Sequence, residues 1–443
     1  MGAGHTHDDD ARPASRTAVS ALLAVIVPLA VATLAALIWM WPAEPADAPS
    51  STPGGITRLT GTIERIALKQ CPAAQPPGEA PAGGAAGQAP QDPRRCGEAT
   101  VQLTSGPDWG RTVTVALPSG PGTRVFTAGD DVIMLHMPDA AGVSPYQLSD
   151  HDRSGALWLV ALAFALAVIA FGRWRGLTAL GGLAITFALL LWFLIPAILG
   201  GAPPLLAAIV CAAAIMFAVL YLTHGFTVQT SIAVLGTLAS LTLTALLATA
   251  AVAATDLTGV TDDSSFYLDL SYRINTQGLL LAGIVIGALG VLDDVTVTQA
   301  ATVAELARAD PGSGFLRLYR AAARVGRAHI ASVINTIILA YAGASLPLLL
   351  LFSIGSQPLD AVLTSPVVAQ EIVRSVAGTI GLIAAVPLTT ALAAFVAVRR
   401  DDADEDGAYE DADPPYRPHV RRRAAGAHAA RSDDPPPWAG WID

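Results

Sequence analysis

The feature that most restricts this chain is a set of long apolar runs. About 20 apolar residues in a helix cross the ~30 Å hydrocarbon layer of a bilayer. Runs of that length begin at Ala18 to Trp41 and recur at Ser154 to Gly172, Leu177 to Leu199, Pro204 to Leu222 and Thr230 to Ala253. A sixth starts at Gly278 and turns polar at Asp293, a seventh covers Ala328 to Phe352, and an eighth covers Ile372 to Val398. Charge supports the reading: 14% of the 443 residues are charged, against about 25% in soluble domains. Lys69 is the sole lysine among abundant Arg, Ala and Gly, a composition expected of a GC-rich bacterial genome.

The expected fold class is therefore an α-helical polytopic membrane protein with about eight transmembrane helices. The first run has a basic approach (Arg12, Arg16) and an Ala46-Asp47-Ala48 site downstream. It exceeds the 7–15 residues of a signal-peptide core, so an uncleaved anchor is expected. Arginine-rich segments mark the cytoplasmic side. Arg173 and Arg175 follow span two, Arg308, Arg317, Arg320, Arg324 and Arg327 lie between spans six and seven, and Arg399 and Arg400 follow span eight. With eight spans these fall on one side, which places both termini in the cytoplasm of a bacterial inner membrane.

Residues 42–150 differ in composition. Ile56 to Leu68, Ala99 to Leu103, Arg111 to Leu117 and Val132 to Met137 read as strands separated by turn signals, around a Pro/Gly-rich insert at 72–95. They predict a small extracytoplasmic β-barrel, OB-like, between helices one and two. It lacks interleaved basic and aromatic residues, so nucleic acid is not expected as a partner. Cys71 and Cys96 flank the insert in an oxidising compartment and are expected to form a disulfide; Cys211 lies in an apolar run. Residues 1–17 and 399–443 read as disordered cytoplasmic tails around the anchor (18–41) and a seven-helix domain (151–398). His5 and His7 in the first tail are expected to be solvated rather than metal-bound.

Polar residues inside spans are expensive, costing ~2.5–3.5 kcal/mol for a charge at the centre. Span six continues through Asp293 and Asp294, because Val295, Val297, Ala300 and Ala301 are still apolar, and the pair lies roughly 10 Å deep if the helix exits near Ala301. In span seven, His329, Ser332, Asn335 and Thr336 share a helical face. In span eight, Thr389 and Thr390 follow Pro387 at comparable depth. Two readings are open: a polar pocket for an ion, proton or solute, or carboxylates that cap a helix at the interface beside Arg308. Adjacent helical residues point about 100° apart, so one aspartate is expected to face His329 or Asn335. Glu371 and Arg374, one turn apart, are expected to form an ion pair. Gly283, Gly287, Gly290, Gly378 and Gly381 suit close helix packing. No zinc-protease, serine-hydrolase or phosphate-loop motif is present, and no cofactor, metal or enzymatic role is expected.

The stretch Gly290 to Gly312 (GVLDDVTVTQAATVAELARADPG) resembles the YibE/F-like family of bacterial multipass membrane proteins. Tyr146 to Arg153, His329 to Gly343 and Glu371 to Thr390 add to the resemblance, which covers roughly residues 55 to 398. It implies a multipass inner-membrane protein and brings no catalytic residues with it. The leading expectation is a permease-like protein for an unidentified small solute or ion. The alternative is a scaffold whose outer domain recruits an envelope partner. Besides lipid, homo-oligomers are among the expected partners.

Overall fold

The computed structural model describes residues 16–42, 56–69, 96–118, 124–138, 144–261, 272–354 and 358–410, with isolated positions between 266 and 270. Cys71, and with it the expected disulfide to Cys96, lies outside the described residues, as do the insert at 72–95 and both outermost tail segments.

Helix α1 (Arg16–Trp39) is followed by five antiparallel strands: β1 (Thr57–Leu68), β2 (Gly97–Leu103), β3 (Thr112–Ala116), β4 (Asp131–His136) and β5 (Tyr146–His151). Their order is β3-β2-β1-β4-β5. Long β1 serves both halves of the sheet, pairing with β4 through residues 57–62 and with β2 through residues 61–68, with a register shift between Ile63 and Arg65. That irregularity and the native twist curl the sheet, so β3 and β5 from opposite edges touch and the sheet forms a half-barrel. Alternate residues point inward. Leu59, Ile63, Val101, Leu103, Val115, Val132 and Met134 are buried in a core that belongs to the sheet. β5 is an addition to the four expected strands. Its signal was the alternation of Tyr146 and Leu148 with Gln147 and Ser149, in a segment read only as the approach to span two.

Helix α2 (Ser154–Leu189) continues through a π-helical stretch, Leu190–Leu194, into the short α3 (Ile195–Leu199). Pro196 at the start of α3 has no N–H for the preceding turn, a local reason for the widened coil. The remaining helices are α4 (Pro204–His224), α5 (Val228–Ala254), α6 (Thr276–Ala309), α7 (Phe315–Ala344), α8 (Leu346–Ile354), α9 (Leu359–Leu363) and α10 (Pro366–Glu410). Among the described residues, seven helical segments are long and apolar enough to cross a membrane. One of them, Ser154–Leu199, has 46 residues, roughly twice what a bilayer needs.

That segment is broken. Arg173 has φ 51° and ψ −125°, outside the helical region. A side-chain carbon at Gly176 would overlap the carbonyl of Val168. In a straight helix residues eight apart are ~12 Å apart, so the chain doubles back between them, where the sequence reading ends span two.

Two boundaries differ from expectation and matter for the site. Helix α6 continues past Ala301 to Ala309, because Thr302, Val303 and Leu306 continue the helical pattern beside buried Ala300. Helix α7 starts at Phe315, not Ala328, so the turn is only Asp310 to Gly314 and Arg317, Arg320, Arg324 and Arg327 lie on a helix rather than in a loop. Its other face, with Leu318, Ala322 and Gly326, is buried, and packing of that stripe overrides the charge signal. Helix α10 likewise continues to Glu410, into the segment read as a tail.

Candidate functional site in the helical bundle

Helices α5, α6 and α10 pack closely on one another, and the sequence explains why. Gly236, Ser240, Thr244 and Ala248 recur every four residues on α5. Ala377, Gly381, Ala385, Thr389 and Ala393 do the same on α10. All are buried. Small residues at this spacing let helix axes approach without a hydrophobic driving force. At Gly236 a side chain would overlap the Thr389 hydroxyl, and at Gly381 the Thr244 hydroxyl. Of the glycines expected to pack closely, Gly381 does so, Gly287 meets the Tyr341 hydroxyl at ordinary contact distance, and Gly283, Gly290 and Gly378 face open space.

A polar layer crosses this interface. The hydroxyls of Thr237 on α5 and Thr296 on α6 are 2.6 Å apart and fully buried. The side-chain amide of Gln299 donates both to the Ala322 carbonyl of α7 at 3.0 Å and to the Thr390 hydroxyl of α10 at 2.7 Å. Thr390 in turn donates to the Val386 carbonyl at 2.6 Å. One residue thus ties three helices. Gly326 of α7 lies against Gln299 and Val386, where a side chain would collide with both. Sequence reading missed Thr237, Thr296 and Gln299. The available signal was a polar side chain three and six residues beyond Asp293, still within an apolar stretch.

Asp293 lies at the midpoint of α6, 17 residues after Thr276 and 16 before Ala309, about 25 Å from either end. Helices α5 and α6 are antiparallel, with Ala248 and Val252 beside Leu280, Leu281 and Ile284. The Thr237–Thr296 contact therefore sets Asp294 level with the middle of α5. Asp293 is half-buried, and its Oδ1 is buried without a partner in the protein. Asp294 is exposed, on the same face of α6 as exposed Gly283, Gly287 and Gly290. The Tyr341 hydroxyl of α7 approaches that face at Gly287.

The antiparallel pairing of α6 with α7, from Gly287 beside Tyr341 to Gln299 beside Ala322, brings His329 and Asn335 to the level of the aspartates. It does not join them: no hydrogen bond or ion pair among the described residues links Asp293 or Asp294 to His329, Asn335 or Thr336. Asn335 and Thr336 are exposed, Thr336 donating to the Ser332 carbonyl at 3.1 Å. His329 is half-buried, with Nε2 buried and unpartnered. Thr389, fully buried, has an unpartnered hydroxyl. Beside it Pro387 interrupts the helical hydrogen bonding of α10, leaving the Ile383 carbonyl without its usual donor. Toward the other end of α10, Arg374 Nη1 lies 3.7 Å from Glu371 Oε1. There Arg374 Nε, Gln370 Oε1 and Thr379 Oγ1 are also buried without partners.

Buried polar groups are nearly always hydrogen-bonded. Among the described residues seven buried side-chain polar atoms have no partner in the protein, and six are on α6, α7 and α10. The seventh, His151 Nδ1, is in the sheet.

The junction of sheet and bundle is built differently. Asp150 receives both terminal nitrogens of Arg153 at 3.0 and 2.7 Å, and Asp152 accepts from the amide of Ser154, the first residue of α2, at 2.9 Å. The Arg153 guanidinium, and next the His151 amide, hold Asp150 well below the usual carboxylate range. Burial alone raises Asp130, but hydrogen bonds from the Thr127 amide and hydroxyl and from His151 outweigh it, so this carboxyl also titrates low. The His151 ring stacks on Phe126 at 4.4 Å between centroids, with Nε2 3.2 Å from Asp130 Oδ2.

Among known proteins, the family described as YibE/F-like protein matches residues 160–399. No curated protein and no solved structure matches. The match starts within α2, so the five strands lie outside it, although the sequence resemblance was read from about residue 55. It covers more than half of the 443 residues and contains every residue of the polar layer. The chain belongs to the YibE/F-like family.

Proposed function

We propose that this protein is a permease-like membrane protein that moves a small solute or ion along α6, α7 and α10. The supporting observation is the concentration of unpartnered buried polar atoms on those three helices, from Gln370 and Arg374 near one end through Asp293 and His329 to Thr389. Groups that the protein does not satisfy are those that water or cargo must satisfy. With the reversal at Arg173 the apolar segments number eight, and both termini are cytoplasmic. The curled sheet, an OB-like module, then lies outside a bacterial inner membrane, where Cys71 and Cys96 pair. No catalytic chemistry is assigned.

Single cysteines at positions 293, 379 and 389, in a Cys211→Ala background, test the path. A membrane-impermeant thiol reagent is expected to modify them at least ~10-fold faster than a cysteine at Leu246, an exposed apolar position of α5. Equal, negligible rates at all four sites sink the pathway. The scaffold reading then leads. It draws on Trp109, 76% exposed at the β2–β3 turn, a residue type favoured at partner contacts. A reporter fused after Arg400 that is active only outside the cytoplasm rejects the topology.

A further inference from the structure

The arginines that sequence reading assigned to a loop form a row on α7. Arg317, Arg320, Arg324 and Arg327 are spaced three, four and three residues apart. At 100° per residue this confines them to an 80° sector, over about 15 Å of helix. All four are exposed. The opposite side of the same turns, Leu318, Ala322, Ala323, Gly326 and Ile330, is buried. The row therefore points away from the bundle.

Neutralisation within the chain is incomplete. Arg317 lies 3.3 Å from Asp310, and the neighbouring Glu305 is already paired with Arg308 at 2.5 Å. Arg320, Arg324 and Arg327 have no ion pair among the described residues. Depth selects their partner. Gly326 touches Gln299 of α6, whose level lies about 9 Å inside the end of α5 that starts at Val228, given the Thr237–Thr296 contact and 1.5 Å per residue. Helix α5 is ~40 Å long, longer than the hydrocarbon layer, so Arg324 and Arg327 are rooted close to its boundary. An arginine there extends its stem along apolar surface and delivers its guanidinium to the headgroup layer. The anions present at that depth on an outward face are lipid phosphates, and guanidinium groups match phosphate oxygens in pairs.

We propose that Arg320, Arg324 and Arg327, continued by Arg317, form a binding site for the headgroup phosphates of anionic phospholipids. The site is separate from the unpartnered atoms of the proposed path and stands whether or not the bundle conducts. One row of cations on one helix holds one or two headgroups in register and fixes the height of α7 against its neighbours.

The full-length chain is compared in nanodiscs of phosphatidylcholine alone and of phosphatidylcholine with phosphatidylglycerol. Unfolding is followed by exposure of the buried free thiol Cys211. The anionic lipid is expected to raise the melting temperature by at least ~3 °C, and Arg320→Gln/Arg324→Gln/Arg327→Gln is expected to lose that rise. No rise in the wild type, or an equal rise in the variant, overturns the site. A rise reproduced by inorganic phosphate added to phosphatidylcholine discs overturns the lipid as its ligand. If the triple variant does not accumulate, native mass spectrometry of wild-type protein released from mixed discs decides. Retained lipid must be enriched in phosphatidylglycerol; retention in proportion to disc composition overturns the proposal.

Discussion

The sheet and the helical bundle treat polar groups in opposite ways. At the sheet, three carboxylates are each given donors: Asp150 has Arg153, Asp130 has Thr127 and His151, and Asp152 has Ser154. In the bundle the side chains most expensive to bury are left short of partners, as are the hydroxyls of Thr379 and Thr389, while neighbouring hydroxyls are paired. Thr237, Thr296, Gln299 and Thr390 form a closed set; Asp293, His329 and Arg374 Nε are open. Water reaches the exposed sheet easily, so its pairs serve geometry more than survival. Inside a membrane an open group costs stability, and retaining six of them on three helices argues for use rather than neglect.

This contrast can be attacked first where packing is tightest. Gly381→Leu is expected to abolish recovery of folded protein, since its side chain has no space beside Thr244, whereas Gly283→Leu, facing open space, is tolerated. Yields of monodisperse protein after extraction decide. Gln299→Leu should come next. It strips partners from the Ala322 carbonyl and the Thr390 hydroxyl, at a cost of about 1–3 kcal/mol, read as a fall in melting temperature. The sheet should respond to acid. Its low-titrating carboxylates favour folding while ionised, so their contribution holds above about pH 4 and disappears as pH drops through their lowered values. Hydrogen exchange of β4 and β5 amides should accelerate there, less so in Asp150→Asn. The smallest expected effect on stability is the most telling. Asp293→Leu should leave the melting temperature unchanged or raised, because no protein partner is lost, yet block thiol-reagent access to a cysteine at 379 or 389. A clear fall in stability means that Asp293 is structural.

Spans and sheet were largely legible because hydrophobic length and two-residue alternation are local signals. The reversal between Val168 and Gly176 was readable from Arg173 and Arg175 alone. Helix ends were not. Apolar residues carry span six to about Ala301 and begin span seven at Ala328, but burial of Ala300 and Val303 on α6, and of Leu318 and Ala322 on α7, extends both helices. Side-chain partnerships were the least accessible. Spacing puts His329, Asn335 and Thr336 on one side of a helix but does not give their burial: His329 is half-buried and the other two are exposed. Gln299, a single amide without a motif, turned out to be the residue that joins three helices. Which face a membrane helix buries depends on small residues across the interface, such as Gly326, and these have no signature of their own.

The reversal at Arg173 bears on how the chain reaches the membrane. The arms on either side, residues 154–172 and 174–199, meet at a turn too tight to hold a separate loop, with Arg173, Trp174 and Arg175 at its tip. Pulling that tip through hydrocarbon carries a penalty of ~2.5–3.5 kcal/mol for each arginine at the centre, so the tip stays on one side of the membrane. On the proposed topology that side is the cytoplasm, and residues 154–199 enter the membrane as one hairpin with its arginines retained there. Truncation within the second arm is expected to leave the first without a stable place in the membrane.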